Sequence, residues 1–364
     1  MDSSRQTSSK VSEALSLPPK WLSQYSEFIT KNASAVSQIE SALRSLTYII
    51  PGRFRESEIA SESIYSGVQL LSLYHDSLLA KAVARLPPAQ RPHPTPHSRY
   101  TRFWTQNSPT YRRIALTLQM IQYTELLWEM AAKRRGEKVR WRVIVLLEAI
   151  KAVCRLLLLR LTNSRPLLSP PLPQRDPPSE KSDDATWTMP RTGLSLPSLP
   201  DSSDISSYLL SKVLTADDIK PPKALLHRVT GKGELAECIY ILRPVIYALA
   251  MSYWNSKGKS SWRPWLLGIS IEYGARQLAK KDFQERLAGG LRGLTALERE
   301  ELKKRGWYMG WWLMRGAFYE NITKAWISSV TRKLKGKLLL DVLGGVIEDY
   351  EFLWDQYYFS TATL

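Results

Sequence analysis

The chain has 364 residues, 44% of them hydrophobic, which excludes wholesale disorder and leaves room for one large domain or two ordinary ones. Its formal charge of +17 and pI of about 9.8 predict attraction to polyanions, either nucleic acid or anionic lipid headgroups. Thirteen Trp and 17 Tyr against 7 Phe favour lipid, because amphipathic rings settle at the headgroup level of a bilayer, although they also stack on single-stranded bases.

The polar, Ser-rich head (1–20) has no apolar signal core, so routine secretion is not expected. The two cysteines, Cys154 and Cys238, lie in apolar stretches and are expected to be free thiols. Residues 21–86 are read as a helical hairpin. Val36, Ile39, Leu43, Leu46 and Ile50 form an apolar stripe in its first limb, Pro51-Gly52 ends that limb, and Ile64, Val68, Leu71 and Leu78 share a face of the second. Residues 87–110 are read as a Pro-rich loop, with His93 and His97 exposed in it and no further metal ligands nearby.

Residues 111–161 carry a helix with a stripe of Leu116, Met120, Tyr123, Leu127 and Met130. A basic collar follows, with Lys133, Arg134, Arg135, Lys138, Arg140 and Arg142 offset by Glu137 alone. The run from Val143 to Leu161 is about long enough to span a bilayer, but Glu148, Lys151, Arg155 and Arg160 interrupt it. Helical periodicity places Glu148, Lys151 and Arg155 on one narrow face, above Glu137. Such a helix either turns a polar face to protein within a membrane or lies in the interface, with the core helix of a soluble protein as the alternative.

Residues 162–233 are rich in Pro, Ser and Asp and read as a long flexible connection, with a short helix near 205–214. The segment 234–281 opens with a second apolar helix, Leu235 to Trp254, followed by a basic flank in which Trp254, Trp262 and Trp265 cluster as an aromatic belt would. In the C-terminal helical region (282–364), Thr295-Ala-Leu-Glu298 is a capping box, and an aromatic run from Gly306 follows the helix it opens.

The common catalytic and metal motifs are missing, and acid pairs such as Glu125/Glu129 and Glu300/Glu301 are read as solvated helix faces. No catalytic, cofactor-binding or metal-binding residues are therefore assigned. The basic groups sit beside the two apolar segments and not along a recognition helix, so membrane contact is preferred over nucleic acid. Two collars of one sign around a neutral connection predict a helical hairpin with both outer flanks in the cytosol. The expected fold is all-α, a membrane-associated helical bundle with two long apolar helices and a long flexible connection.

Tyr48-Ile-Ile-Pro-Gly52-Arg53-Phe54, Tyr65, Ile-Leu-Arg243-Pro244, Ser261-Trp262-Arg-Pro264-Trp265-Leu-Leu267 and Arg315-Gly-Ala-Phe318-Tyr319 follow one another along the chain. In that order they resemble the peroxin-16 family of peroxisomal membrane proteins. Ala317 departs from the pattern, which often has Pro before Phe-Tyr. The resemblance implies a biogenesis factor without enzymatic activity. Such a protein docks peroxin-3 and peroxin-19 with its clients on the peroxisomal membrane, reached through the endoplasmic reticulum, and both its termini are expected in the cytosol. On this reading Lys133, Arg134, Arg135, Lys138, Arg140, Arg142, Glu148, Lys151 and Arg155 form the targeting and receptor-binding element. A peripheral protein that binds anionic lipid and regulates peroxisome division is the alternative, and a basic nucleic-acid-binding protein is a weaker one.

Overall fold

The computed structural model describes residues 20–32, 35–43, 45, 58–85, 94–175, 216–255, 261–287, 289–334 and 340–362. The chain divides into two compact units, 1–91 and 92–364. All regular structure among the described residues is helical.

In the first unit, helix α1 (Lys20–Lys31) packs on α2 (Glu58–Arg85), and residues 35–43 are also helical. The apolar stripes expected to meet in this hairpin do so only in part: Val36 is buried, as is Ile29, and Val68 and Leu78 are half-buried. Ile39, Leu43, Ile64 and Leu71 are exposed, while Glu40, Ser66, Ser72 and His75 are buried. The interior is held by polar contacts: Ser72 donates to Glu40 at 3.1 Å, and His75 bonds both the Glu40 carboxylate and the Tyr25 hydroxyl. Leu46, Ile50, Pro51-Gly52 and the Gly52-Arg53-Phe54 motif lie outside the described residues.

The second unit begins with α3 (Pro96–Asn107), in the stretch whose prolines suggested a loop. Proline breaks a helix interior, but in the first turn its missing N–H has no partner to lose. Thr95 caps α3 by accepting the Ser98 N–H at 3.1 Å, and Ser108 caps α4 (Pro109–Lys133) by accepting that of Tyr111 at 3.2 Å. His97 is consequently buried in α3 and not exposed, and its Nε2–H donates to the Pro170 carbonyl at 2.9 Å. His93 lies outside the described residues.

A tight turn at Gly136, with φ of +117°, leads into α5 (Glu137–Leu161). Then come α6 (Lys232–Asn255), α7 (Trp262–Arg286) and α8 (Ala296–Gly310). Helices α4 to α7 pack in sequence as neighbouring pairs. Trp141 and Ile144 near the start of α5 meet Tyr247 and Ala248 late in α6, whereas Ala152 and Leu159 meet Ile241. The two apolar helices thus run antiparallel with the collar and the aromatic flank at one end, as the hairpin reading expects.

Thr295 and Glu298 form the capping box of α8, and Glu298 also accepts the His227 N–H at 2.6 Å. From Gly316 the chain is helical through a π-helical turn (Tyr319–Thr323) into α9 (Lys324–Leu334), and α10 (Leu340–Gln356) follows. Both described ends of the long connection are packed. Val229 N–H donates to the Ser164 carbonyl at 2.7 Å, Arg165 donates to the carbonyls of Thr162 and Leu226, and Leu168, Leu172, Leu225 and Leu226 are buried. A Pro- and Ser-rich composition hides such ends, because their backbone polar groups are satisfied by partners distant in sequence. The expected helix at 205–214 lies outside the described residues.

Candidate functional site

Helices α4 to α7 bury paired charges beside their hydrophobic core and carry further apolar side chains on their exposed faces. On α5, Ile144, Glu148, Lys151 and Arg155 point inward, while Leu146, Ile150, Val153 and Leu157 share the opposite, exposed face. On α6, Tyr240, Arg243 and Tyr247 are buried opposite exposed Leu235, Leu242, Leu249 and Tyr253. Met120 and Trp128 on α4 and Leu266, Leu267 and Tyr273 on α7 extend the exposed apolar surface.

The buried charges pair across helices. Lys151 Nζ lies 2.7 Å from Glu125 of α4 and 3.1 Å from Glu148 one turn away on the same face of α5. Arg243 of α6 faces Glu272 of α7 at 2.5 Å, and Trp312 donates its indole N–H to the same carboxylate. Arg305 of α8 forks onto Glu237 at 2.6 and 3.1 Å, with Glu301 beside it. Burial pushes the Glu301 carboxyl up while the Arg305 guanidinium pulls it down.

Glu125, Glu129 and Glu301 are therefore not solvated, contrary to the sequence reading; of the four acids only Glu300 keeps an exposed side chain. The 0% exposed Glu129 accepts Arg140 Nε at 2.9 Å and the N–H groups of Tyr358 and Phe359 at 2.7 and 2.8 Å. Periodicity places an acid on a helix face but does not say whether another helix covers that face.

Helix α6 is long and apolar enough to cross a bilayer, and about half of it is buried. From Leu235 to Tyr253 its exposed stripe is about 27 Å long at 1.5 Å per residue, close to a hydrocarbon core of roughly 30 Å. On α5 the exposed apolar stripe is shorter and lies between exposed Arg142 and Arg160. That helix does not meet the same measure of length and composition.

The basic collar divides into two sets. Arg134, Arg135, Lys138 and Arg142 are exposed. Arg140 is held by Glu129, Glu137 and the Gln356 carbonyl, and Lys133 donates to the Gln356 side chain while lying 4.4 Å over the Tyr357 ring. These last two fix the end of α10 onto the α4–α5 turn. Glu148, Lys151 and Arg155 are interior, so the exposed part of the proposed targeting element reduces to four cations and the apolar stripe beside them.

Sequence motifs far apart in the chain meet at the collar end. Trp265 stacks on Phe318 and donates its indole N–H to the Trp312 carbonyl at 2.8 Å, and Trp262 packs edge-on against both Trp265 and Phe318. Pro264 is buried, and the Tyr358 hydroxyl donates to the carbonyl of Pro244, inside α6. Arg315 lies under Tyr247, Trp312 and Tyr358, and Tyr319 donates to the Glu351 carbonyl at 3.4 Å. Burial, then the nearby Glu351 and Asp355 carboxylates, push the Tyr319 phenol up, so it remains a neutral donor. Ala317, at the departure from the motif, is buried, and its carbonyl accepts from the Asn321 amide at 2.6 Å.

Residues 23–356 match the family model described as Peroxisomal membrane protein (Pex16). The chain belongs to this family. Among curated relatives, the peroxisomal membrane protein PEX16 of Schizosaccharomyces pombe is 22% identical over 85% of this chain and 90% of its own length. The peroxisome biogenesis protein 16 of Arabidopsis thaliana is 24% identical over 89% of this chain and 94% of its own. The peroxisome biogenesis factor 16 of Dictyostelium discoideum is 28% identical over 35% of this chain and 31% of its own. No solved structure matches the chain.

For a Pex16 family member of the peroxisomal membrane, outward apolar stripes and an inward ion-pair spine are what the solvent requires. Sequence reasoning missed Glu237–Arg305 and Arg243–Glu272, whose partners are 68 and 29 positions apart. The only available signal was an arginine or glutamate interrupting an apolar run. It also missed the Tyr25–His75–Glu40 contact of the first unit, which periodicity does not register.

Proposed function

We propose that this chain is a peroxisome biogenesis factor acting without catalysis, as a docking platform held in the membrane by the apolar faces of α4 to α7. The observation that carries this reading is that those helices bury ion pairs within their core while exposing stripes of Leu, Ile and Val. The exposed cations Arg134, Arg135, Lys138 and Arg142 stand at one end of these faces, where they can meet anionic headgroups or an acidic partner. The names of the plant and slime-mould relatives support the biogenesis role. Recruitment of peroxin-3, and of peroxin-19 with its clients, is the partner assignment, with delivery through the endoplasmic reticulum and cytosolic termini.

Co-expression of tagged chain and peroxin-3 tests it. The wild type concentrates peroxin-3 on peroxisomes, and a variant with Arg134, Arg135, Lys138 and Arg142 changed to Ser does so less. Unchanged recruitment by that variant, with unchanged localisation, removes the collar from the account.

The short stripe between Arg142 and Arg160 on α5 favours a second reading, a peripheral protein lying in the interface and regulating division. Carbonate extraction separates the two, because an integral protein stays in the membrane pellet and a peripheral one is released.

A further inference from the structure

A cavity of about 400 Å³ opens at the collar end of the second unit, between the start of α5, the end of α6, the Arg315–Glu320 segment and the end of α10. Volumes of roughly 300–1,000 Å³ are typical of small-molecule sites. Its wall holds Arg315, which is only 7% exposed. Arg315 Nε donates to the Thr361 carbonyl at 3.0 Å, and its guanidinium carbon stands 5.3 Å from the Tyr358 ring and 5.5 Å from that of Tyr247.

Arg315 lacks a carboxylate partner among the described residues, as does buried Arg165, which donates to the Thr162 and Leu226 carbonyls, but of the two only Arg315 lines this cavity. Arg140, Arg243 and Arg305 each hold a carboxylate, at 2.8, 2.5 and 2.6 Å respectively. Among the described residues, no carboxylate lies within ion-pair distance of Arg315. A buried guanidinium without an anion is costly, and its planar fork fits phosphate oxygens. Arg155 likewise has no carboxylate within ion-pair distance among the described residues and a buried, unbonded guanidinium nitrogen, but the void beside it is about 30 Å³ and admits no more than a water.

The rim has the opposite character. Exposed Glu137 pairs with Arg140 at 3.1 Å, Asp355, 41% exposed, pairs with Lys324 at 3.1 Å, and Glu320 is exposed beside them. Trp354 stands with them. Carboxylates beside an aromatic face suit an ammonium group. Depth therefore selects an anion and the rim a cation. The cavity shares an end of the bundle with the Trp262–Trp265–Phe318 cluster, at the level where amphipathic rings meet headgroups.

We propose that this cavity binds the phosphodiester–ammonium headgroup of a zwitterionic glycerophospholipid, phosphoethanolamine or phosphocholine. The phosphodiester lies against Arg315, and the ammonium lies between Glu320, Asp355 and Trp354. Gly316 serves the site: its φ of +52° is a left-handed conformation that side chains disfavour, and an added Cβ would stand 3.1 Å from the Tyr247 hydroxyl.

The test uses the full chain purified in a maltoside detergent, which carries neither phosphate nor ammonium. It is titrated separately with glycerophosphoethanolamine, glycerophosphocholine, inorganic phosphate and ethanolamine, and followed by calorimetry. At least one of the two glycerophospho compounds should bind saturably, with the two fragments each weaker by roughly tenfold or more, as loss of a charged contact implies. Arg315→Gln should weaken binding by about tenfold and Glu320→Gln by a few-fold, while Arg315→Lys retains part of it.

Circular dichroism establishes that each variant is folded. If Arg315→Gln is not, the Glu320→Gln/Asp355→Asn pair carries the same test from the rim. No saturable binding, equal binding of inorganic phosphate alone, or unchanged binding by the folded variants overturns the proposal. The soluble probes make the result independent of whether the chain docks a protein partner.

Discussion

Arg243 and Glu272 face each other at 2.5 Å across α6 and α7, with side chains only 2% and 3% exposed. Removing one partner of such a pair leaves the other charge buried and uncompensated, which costs about 3–5 kcal/mol, whereas replacing both with apolar residues is often close to neutral. Glu272→Ala should therefore lower the unfolding midpoint of the detergent-purified protein sharply. Arg243→Met combined with Glu272→Leu should recover most of the loss. A neutral single variant would mean that the pair does not hold the two helices.

Gly268 tests the packing beside that pair. A Cβ at this position would overlap the Trp312 ring and come 3.0 Å from the ring of Tyr247. Gly268→Ala must displace Trp312, whose indole serves Glu272, and overpacking of this kind costs about 1–3 kcal/mol. The expected readouts are a lower melting temperature and altered tryptophan emission; wild-type values for both would contradict the close approach.

The collar should separate into two phenotypes. Arg140→Ala strands the fully buried Glu129 and releases the Gln356 carbonyl, so it should destabilise the protein by about 3–5 kcal/mol. Exposed Arg134 and Arg135 lose only surface interactions on truncation, within about 0.5 kcal/mol. Their loss should instead weaken flotation with vesicles containing anionic lipid, and more so at low salt. Equal destabilisation by all three variants would remove the distinction.

His97 gives the second unit a pH dependence. Burial holds its ring below the ordinary value of 6.5, and its Nδ1 has no hydrogen-bond partner among the described residues. The unfolded chain accordingly binds a proton at a higher pH than the folded one. Stability from this group is complete above about pH 6.5 and declines as pH falls through that value toward the lower folded pKa. Unfolding of wild type and His97→Gln, compared from about pH 5 to 8, should show a slope in the wild type that is reduced in the variant. Parallel curves would show that His97 does not contribute.

Periodicity made the helices legible. The stripe on α4, the apolar runs of α5 and α6, the Thr295–Glu298 capping box and the shared face of Glu148, Lys151 and Arg155 all follow from spacing and composition, which are local properties. Which face is covered is not local. Glu125 and Glu129 read as solvated because nothing near them in sequence announces Lys151 or the N–H groups of Tyr358 and Phe359. Helix α3 was obscured by prolines that belong to first turns. The Arg315 cavity draws its walls from four separate stretches of chain, so its motif marked the segment without revealing the space it encloses.

The central claim is that the exposed stripes of α5 and α6 face lipid. Leu146→Cys, Val153→Cys, Leu242→Cys and Leu249→Cys, each in a chain with Cys154 and Cys238 changed to Ala, place single thiols along them. A membrane-impermeant maleimide should label Arg135→Cys but none of the four in intact membranes, and should label all five once the membrane is dissolved and the protein unfolded. Ready labelling of the four stripe positions in intact membranes would contradict the account.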